Sequence, residues 1–169
     1  MNTTRSHSKR LATIALLTTL ALIFSYIEAI LPFNIGIPGV KLGIANIVVI
    51  IALYFIDARS ALTINLIRIF LAGFLFSGVF GIIYSLAGGL LSFAVMTMLK
   101  KTDLFSVIGV SVAGGVMHNL GQLITAALIV ENAAMFIYFP VLLFSGIICG
   151  IINGVVCAIV IKKMPASLF

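Results

Sequence analysis

Residues 60–99 read SALTINLIRIFLAGFLFSGVFGIIYSLAGGLLSFAVMTML, and Arg68 is the one charged residue among them. A membrane-crossing α-helix needs about 20 predominantly apolar residues. The stretch is long enough for two such helices, and Gly78 marks a break between them. It therefore predicts two consecutive membrane spans, residues 60–76 and 78–99.

The composition of the whole chain agrees with a membrane protein. It is 63% hydrophobic and 8% charged over 169 residues, whereas soluble domains are roughly 25% charged. This excludes a soluble globule, a disordered chain and a disulfide scaffold. Cys149 and Cys157 stand in an apolar run and are predicted to be small packing residues. The basic residues separate apolar runs and do not share one face, which argues against a nucleic-acid partner.

Four further apolar runs complete the predicted fold, an all-α integral membrane protein with six transmembrane helices. They are residues 11–31, 42–56, 104–130 and a span within 133–161 that has Pro140 in its first turn. The first run is too long for a signal-peptide core and lacks a small-x-small cleavage site. We expect a basic tail at residues 1–10, the helical domain at 11–163 and a short tail at 164–169.

The positions of lysine and arginine predict the orientation. With six spans, most basic residues fall on one side of the membrane, and Lys41 and Glu131 fall on the other. The positive-inside rule then places both termini in the cytoplasm. The basic residues on the predicted cytoplasmic side are Arg5, Lys9, Arg10, Arg59, Lys100, Lys101, Lys162 and Lys163.

The connection between the first two spans, residues 32–41, reads PFNIGIPGVK. Its two prolines and two glycines prevent a regular helix, yet it is mostly apolar and adjoins short spans. We expect it to dip into the protein, because irregular backbone at membrane depth must be buried in protein or line a cavity. A simple surface turn is the alternative.

Polar side chains inside membrane spans are costly and are therefore functional candidates. Most of those in this chain fall in the predicted outer half and indicate a cavity for a small solute. Arg68 is suited to a two-pronged contact with a carboxylate or phosphate, so an anionic or zwitterionic solute is expected. Alternatively, Glu28 pairs with Lys41 or Arg68, and the amides bond helices together. The candidate substrate-binding residues are Glu28, Lys41, Asn46, Arg68, Tyr84, His118, Asn119 and Gln122.

Small residues predict close helix packing. Gly146, Gly150 and Gly154 recur every four residues in the last span, and two glycine pairs lie in the fourth and fifth spans. Such faces serve either packing within the chain or contact with another membrane protein.

Motifs for catalysis and for cofactors are missing from the sequence. It has no phosphate-binding G-x-x-x-x-G-K-[ST] loop and no aspartate-rich pair for magnesium diphosphate. His7 and His118 are placed too differently to share a metal, and His118 has no obvious nucleophile partner. We expect no enzyme and no cofactor, but a binding component that obtains energy from other subunits.

Several stretches resemble the Gx transporter family, which is also labelled heptaprenyl diphosphate synthase component I. The stretches are 40–47 (VKLGIANI), 61–73 around Arg68, 85–89 (SLAGG) and 109–122 (GVSVAGGVMHNLGQ). The resemblance covers residues 11–161. That family is similar to the S-components of energy-coupling-factor (ECF) transporters, six-helix vitamin-binding proteins of prokaryotic plasma membranes.

The resemblance implies a partner set and a function. An S-component works with a transmembrane coupling protein and two cytoplasmic ATPases, captures a vitamin-like or precursor solute from outside, and topples in the bilayer. Residues 32–41 would match the loop that covers the solute. The first span departs from the A-x-x-x-A coupling face of S-components. The second label implies instead a non-catalytic membrane subunit of polyprenyl (heptaprenyl) diphosphate synthesis.

Overall fold

A computed structural model describes residues 2–30 and 43–164, with side chains from residue 8 onward. Lys41 and the connection at 32–41 lie outside the described residues. Within them the chain is helical and has no strand. A π-helix (Gly73–Ser77) joins α3 to α4, and a 3-10 helix (Ala133–Tyr138) precedes α6. The α-helices are α1 (Asn2–Ile30), α2 (Ala45–Phe55), α3 (Ala58–Ala72), α4 (Gly78–Thr102), α5 (Val107–Ile129) and α6 (Phe139–Lys163).

Most of these helices are apolar enough for a membrane. Four helical stretches in the described part of the chain have the length and hydropathy to cross one: Ser8–Ile30, Ala58–Thr102, Val107–Ile129 and Ala133–Lys163. α2 is apolar but shorter. The all-helical, membrane-type character predicted from composition is therefore confirmed.

The long stretch Ala58–Thr102 folds back on itself. A Cβ placed on Gly73 would overlap the side chain of Ile82, and Asn65 donates from Nδ2 to the carbonyl oxygen of Gly89 at 3.3 Å. In a continuous helix, residues 24 apart would be separated by about 36 Å. α3 and α4 therefore form an antiparallel hairpin, which reverses at Ser77 and Gly78.

α2 lies at the centre of the bundle. It contacts α1, α3 and α6, and every residue from Ile47 to Leu53 is buried. A helix that is apolar on all sides is stable only when protein or lipid surrounds it completely. Its eleven residues extend about 16 Å, roughly half of a 30 Å hydrocarbon core, so α2 is shorter than the predicted span at 42–56.

Glycines let the backbones of α5 and α6 touch. A Cβ on Gly115 would lie 2.6 Å from the carbonyl oxygen of Gly146, and a Cβ on Gly150 would lie 2.6 Å from the Cα of Val112. Gly154 packs in the same way against Ile108. The glycine face of the last span thus packs within the chain, as the first of the two sequence-based alternatives proposed.

Polar contacts close one end of the bundle, called the basic end here. Arg10 forms an ion pair with Asp57, and Lys100 donates to the carbonyl oxygen of Leu53 at the end of α2. Asn153 and Cys157 of α6 contact the carbonyl oxygens of Gly43 and Ile47, respectively, so α2 and α6 run parallel. The last turn of α6, with Lys162 and Lys163, therefore lies at the same end.

Candidate functional site

A small cavity lies between α2, α4, α5 and α6. Its volume is about 20 Å³, which accommodates roughly one water molecule. Asn46, His118 and Asn119, three of the sequence-predicted site residues, line it. The other lining residues are Gly43, Ile50, Met96, Ser111, Gly114, Gly115, Gly146, Cys149, Gly150 and Asn153.

The cavity lies near mid-height in the bundle. Asn46, His118 and Asn153 stand about 13–17 Å from the ends of their helices at the basic end, at 1.5 Å per residue. Half of a hydrocarbon core is about 15 Å. The sequence predicts Asn46 near the outer end of the short second span, residues 42–56. It lies deeper because α2 is short and its first turn starts inside the bundle.

Two cavity-lining asparagines are fixed by backbone contacts. Asn119 donates from Nδ2 to the carbonyl oxygen of Leu142 at 2.7 Å, and Asn153 donates from Nδ2 to that of Gly43 at 3.0 Å. A carbonyl oxygen only accepts, so the amide nitrogens must face these partners. Asn119 therefore joins two segments of the bundle, as the structural alternative predicted for it, and Asn153 does the same without having been predicted; both also border the cavity.

Asn46 differs from these two residues. It is half-buried at the start of α2, and its side chain makes no hydrogen bond to another described residue. An amide in the cavity wall that holds no helix in place is available to a bound molecule.

A second polar group, which does not line the cavity, is centred on Arg68 of α3. Arg68 is 8% exposed. It donates from Nη2 to Asn65 Oδ1 at 2.7 Å and from Nη1 to Ser25 Oγ at 3.5 Å. Its buried Nε has no hydrogen-bond partner among the described residues. A buried guanidinium with an unused donor is costly in an apolar bundle.

Glu28 connects the two groups. Its Oε1 accepts a 2.7 Å hydrogen bond from the backbone N–H of Ile44, directly before α2. Its negative charge acts on Arg68 and on Cys149, which lines the cavity. A carboxylate at a helix N-terminus is stabilised by the helix dipole, so Glu28 has a structural role at the start of α2.

The structure brings some other predicted residues near the cavity but not into its lining. Gln122 and His118 pack together against Gly88 of α4, where a Cβ would lie 2.9 Å from Gln122 Cγ. Tyr84 is half-buried, one turn before Gly88. Neither Gln122 nor Tyr84 lines the described cavity. Lys41 lies outside the described residues.

Sequence reasoning missed Asn153. It stands between Gly150 and Gly154, in a run that was interpreted only as a packing face. The rule that flagged the other amides, that a polar side chain within a membrane span is costly, applies equally to Asn153.

The lining sets what the cavity can do chemically. Its polar members are amides, hydroxyl, thiol and imidazole, so it offers hydrogen bonds. Glu28 bonds Ile44, the neighbour of the lining residue Gly43. Among the described residues, no group of three His, Cys, Asp or Glu is arranged to hold a metal ion. The arrangement suits binding of a polar molecule.

Comparison with known proteins gives one match. The family model described as heptaprenyl diphosphate synthase component I matches residues 17–160, the family indicated by the motifs at 40–47 and 109–122. No curated protein and no solved structure matches the chain.

Proposed function

The chain belongs to the heptaprenyl diphosphate synthase component I family, and within it we propose that this protein is a membrane-embedded solute-binding component of an ECF-type importer. The observation that carries the proposal is a cavity in the middle of an apolar bundle whose wall includes the polar side chains of Asn46, His118 and Asn119. Substrate sites of membrane transporters commonly lie near the bilayer midplane, beside the ends of discontinuous helices. α2 starts at mid-height next to the cavity, so its N-terminal end is a helix end of this kind.

Each predicted residue has a role in this proposal. Asn46, Asn119 and His118 hydrogen-bond the solute. Arg68 receives its polar or anionic part through the unused Nε, and Glu28 balances the charge of Arg68. Lys41, Tyr84 and Gln122 complete the site once the cavity opens.

The cavity must widen for this function. Vitamin-sized ligands occupy pockets of about 300–1,000 Å³, far above the described volume of about 20 Å³. The α5–α6 wall is held by backbone contacts at Gly115 and Gly150, whereas α2 meets α6 through the side chains of Asn153 and Cys157. We propose that widening separates α2 from α6.

The proposal includes a location and partners. The bundle lies in the plasma membrane of a prokaryote with both termini in the cytoplasm, and α2 is enclosed by its neighbours without spanning the hydrocarbon core by itself. A transmembrane coupling protein and two cytoplasmic ATPases bind at the basic end and supply the energy. This chain itself is not catalytic.

Native mass spectrometry of gently solubilised protein tests the binding role. A retained small molecule is expected in the wild type and should be lost in Asn46→Ala, whose side chain bonds no described residue and whose removal should spare the fold. Asn132→Ala makes the same deletion at the exposed connection before α6 and should retain the molecule. Arg68→Ala should also lose it. Equal retention in Asn46→Ala and Asn132→Ala would contradict the role of the cavity.

A second candidate function follows from the family description itself. Under it, the chain is a non-catalytic membrane subunit that assists a prenyl diphosphate synthase. Affinity purification from native membranes separates the two proposals. Recovery of a coupling protein and ATPases supports import. Recovery of a soluble prenyl synthase, with turnover that requires this chain, supports the second candidate.

A further inference from the structure

The turn between α3 and α4 is apolar and exposed. All seven residues from Phe74 to Phe80 are exposed on the described protein. Phe74 is 76% exposed and Val79 68% exposed. Only Ser77 and Gly78 interrupt the apolar side chains. Contiguous exposed apolar surface of this kind marks contact with a membrane or a protein.

The connection between α5 and α6 lies at the same end of the bundle as the α3–α4 turn, away from the basic end. It differs from that turn because it contains two consecutive polar residues. There, Glu131 adopts a left-handed backbone conformation (φ 51°), and the Asn132 side chain accepts from the N–H of Ala134. These residues form a polar turn suited to water. By contrast, no charged residue stands between Arg68 and Lys100, so the α3–α4 turn has none of the groups that usually hold a connection in water.

Helix length limits how far the turn reaches. The fifteen residues of α3 and the five of the π-helix rise by at most about 30 Å, which equals the thickness of a hydrocarbon core. α3 begins at the basic end, next to the Arg10–Asp57 ion pair. The turn therefore reaches the far edge of the hydrocarbon core without extending beyond it.

Two backbone N–H groups of the turn, those of Gly73 and Gly78, are satisfied within the chain, although Ser77 does not cap the start of α4 with its side chain. Lipid-exposed chain must satisfy its peptide groups internally. The N–H of Gly78 donates to the carbonyl oxygen of Gly73, which closes the π-helix, and the N–H of Gly73 donates to the carbonyl oxygens of Ile69 and Phe70. Gly78 reverses the chain at φ 69°, a conformation that glycine adopts without strain. The reversal needs no extended loop.

We propose that the α3–α4 turn is immersed in the lipid leaflet opposite the basic end, with Phe74, Leu75, Val79 and Phe80 among the acyl chains just below the headgroups. Phe76 packs against Tyr26 of α1, with ring centroids 5.0 Å apart, and joins the turn to the bundle. This face of the protein therefore meets lipid where the topology alone would suggest a water-exposed loop.

Tryptophan fluorescence tests the depth of the turn directly, because the chain contains no tryptophan. Phe74→Trp places one reporter in the α3–α4 turn, and Asn132→Trp places one in the polar turn formed by Glu131 and Asn132, where both side chains are exposed. Both proteins are reconstituted into phosphatidylcholine vesicles with and without lipids brominated along the acyl chains. Leu75→Trp replaces the first variant if that does not fold.

Phe74→Trp should emit at short wavelength, lose most of its emission to brominated lipid and resist aqueous iodide. Asn132→Trp should be quenched by iodide and little by brominated lipid. Long-wavelength emission that iodide quenches in Phe74→Trp would show a water-exposed loop and overturn the proposal. Short-wavelength emission that neither quencher affects would show that protein, such as a second copy of the chain, covers the turn, which also overturns it.

Discussion

The side chain of Asn65 accepts a 2.7 Å hydrogen bond from Arg68 one turn away on α3, and the same amide donates to the carbonyl oxygen of Gly89 on α4. Because the guanidinium needs an acceptor and the carbonyl a donor, the orientation of the amide is fixed at both ends. Asn65 thus holds the hairpin together and positions the buried charge.

Replacing Asn65 should therefore cost more than replacing an asparagine with one neutral bond. Asn65→Ala leaves part of a buried charged group unpaired, which costs about 1.5–3 kcal/mol. Asn119→Ala loses one bond between membrane helices, worth about 0.6–1.7 kcal/mol. Thermal unfolding in a fixed detergent measures the difference, and a larger loss for Asn119→Ala would contradict the assigned role of Asn65.

Gly150→Ala should destabilise the α5–α6 contact. The added Cβ would lie 2.6 Å from the Cα of Val112, and backbone cannot move aside easily, so overpacking should cost about 1–3 kcal/mol. Gly109→Ala is the matched control in α5, because the nearest atoms are 3.7 Å away and alanine favours helix by about 1 kcal/mol. Unfolding measurements should show opposite signs for the two variants; equal stability of both would mean that the helices are not in backbone contact.

Asp57 should make stability pH-dependent in acid. The N–H of Ser60 and the nearby Arg10 guanidinium hold the pKa of this carboxyl below its ordinary value of 3.8. Its contribution is therefore complete above pH 3.8. It declines below that pH, because the unfolded state takes up the proton first, and is lost once the pH has fallen through the lowered pKa of the folded state. Unfolding temperatures between pH 6 and pH 2 measure the decline.

Two variants separate the effect of the Asp57 charge from the effect of the N-cap that its side chain provides for α3. Asp57→Asn keeps an N-cap oxygen and should flatten the acid decline, and its cost near neutral pH should equal the decline that it removes. Asp57→Ala removes the cap of α3 as well and should cost about 0.5–2 kcal/mol at neutral pH. If Asp57→Asn lost stability in acid as the wild type does, groups other than Asp57 would be the cause of that loss.

Lys100 should stabilise the end of α2. It donates to the carbonyl oxygen of Leu53, and its Nζ lies 4.9 Å from the centre of the Tyr54 ring. A cation at a helix C-terminus contributes about 0.3–1 kcal/mol and a cation–π contact about 0.5–1 kcal/mol, so Lys100→Met should lower the unfolding free energy by about 1–2 kcal/mol. Lys101→Met, at an exposed neighbour, should change it by less than about 0.5 kcal/mol. Similar losses of unfolding free energy in the two variants would show that Lys100 contributes no more to stability than an exposed lysine does.

Much of the fold was predictable because membrane spans leave a strong one-dimensional signal. Apolar runs gave the helices, and Gly78 gave the reversal between α3 and α4. The length of α2 was overestimated, because hydropathy does not distinguish a residue inside a helix from an apolar residue beside one. Small residues at four-residue intervals predicted close helix packing, and the contact of Gly115 with Gly146 is of that kind.

The site was less predictable, because the depth of a side chain in the membrane and the direction in which it points depend on how the helices pack. His118 and Asn119 were expected near Asn46, and all three border the cavity. Glu28 was expected as a solute contact, which stays a prediction, and the structure adds a bond that it accepts from the backbone N–H of Ile44 before α2. That contact joins residues sixteen apart across a connection, and no periodic pattern in the sequence indicates it.

The shortness of α2 has a consequence for biogenesis. A segment of eleven helical residues is too short for the insertion machinery to release into lipid as a stable unit, whereas α1 and the α3–α4 hairpin are long enough. We therefore expect α2 to be held stably only once its neighbours, which bury it, are in the bilayer. The cavity that Asn46 helps to line would then form only in the assembled bundle.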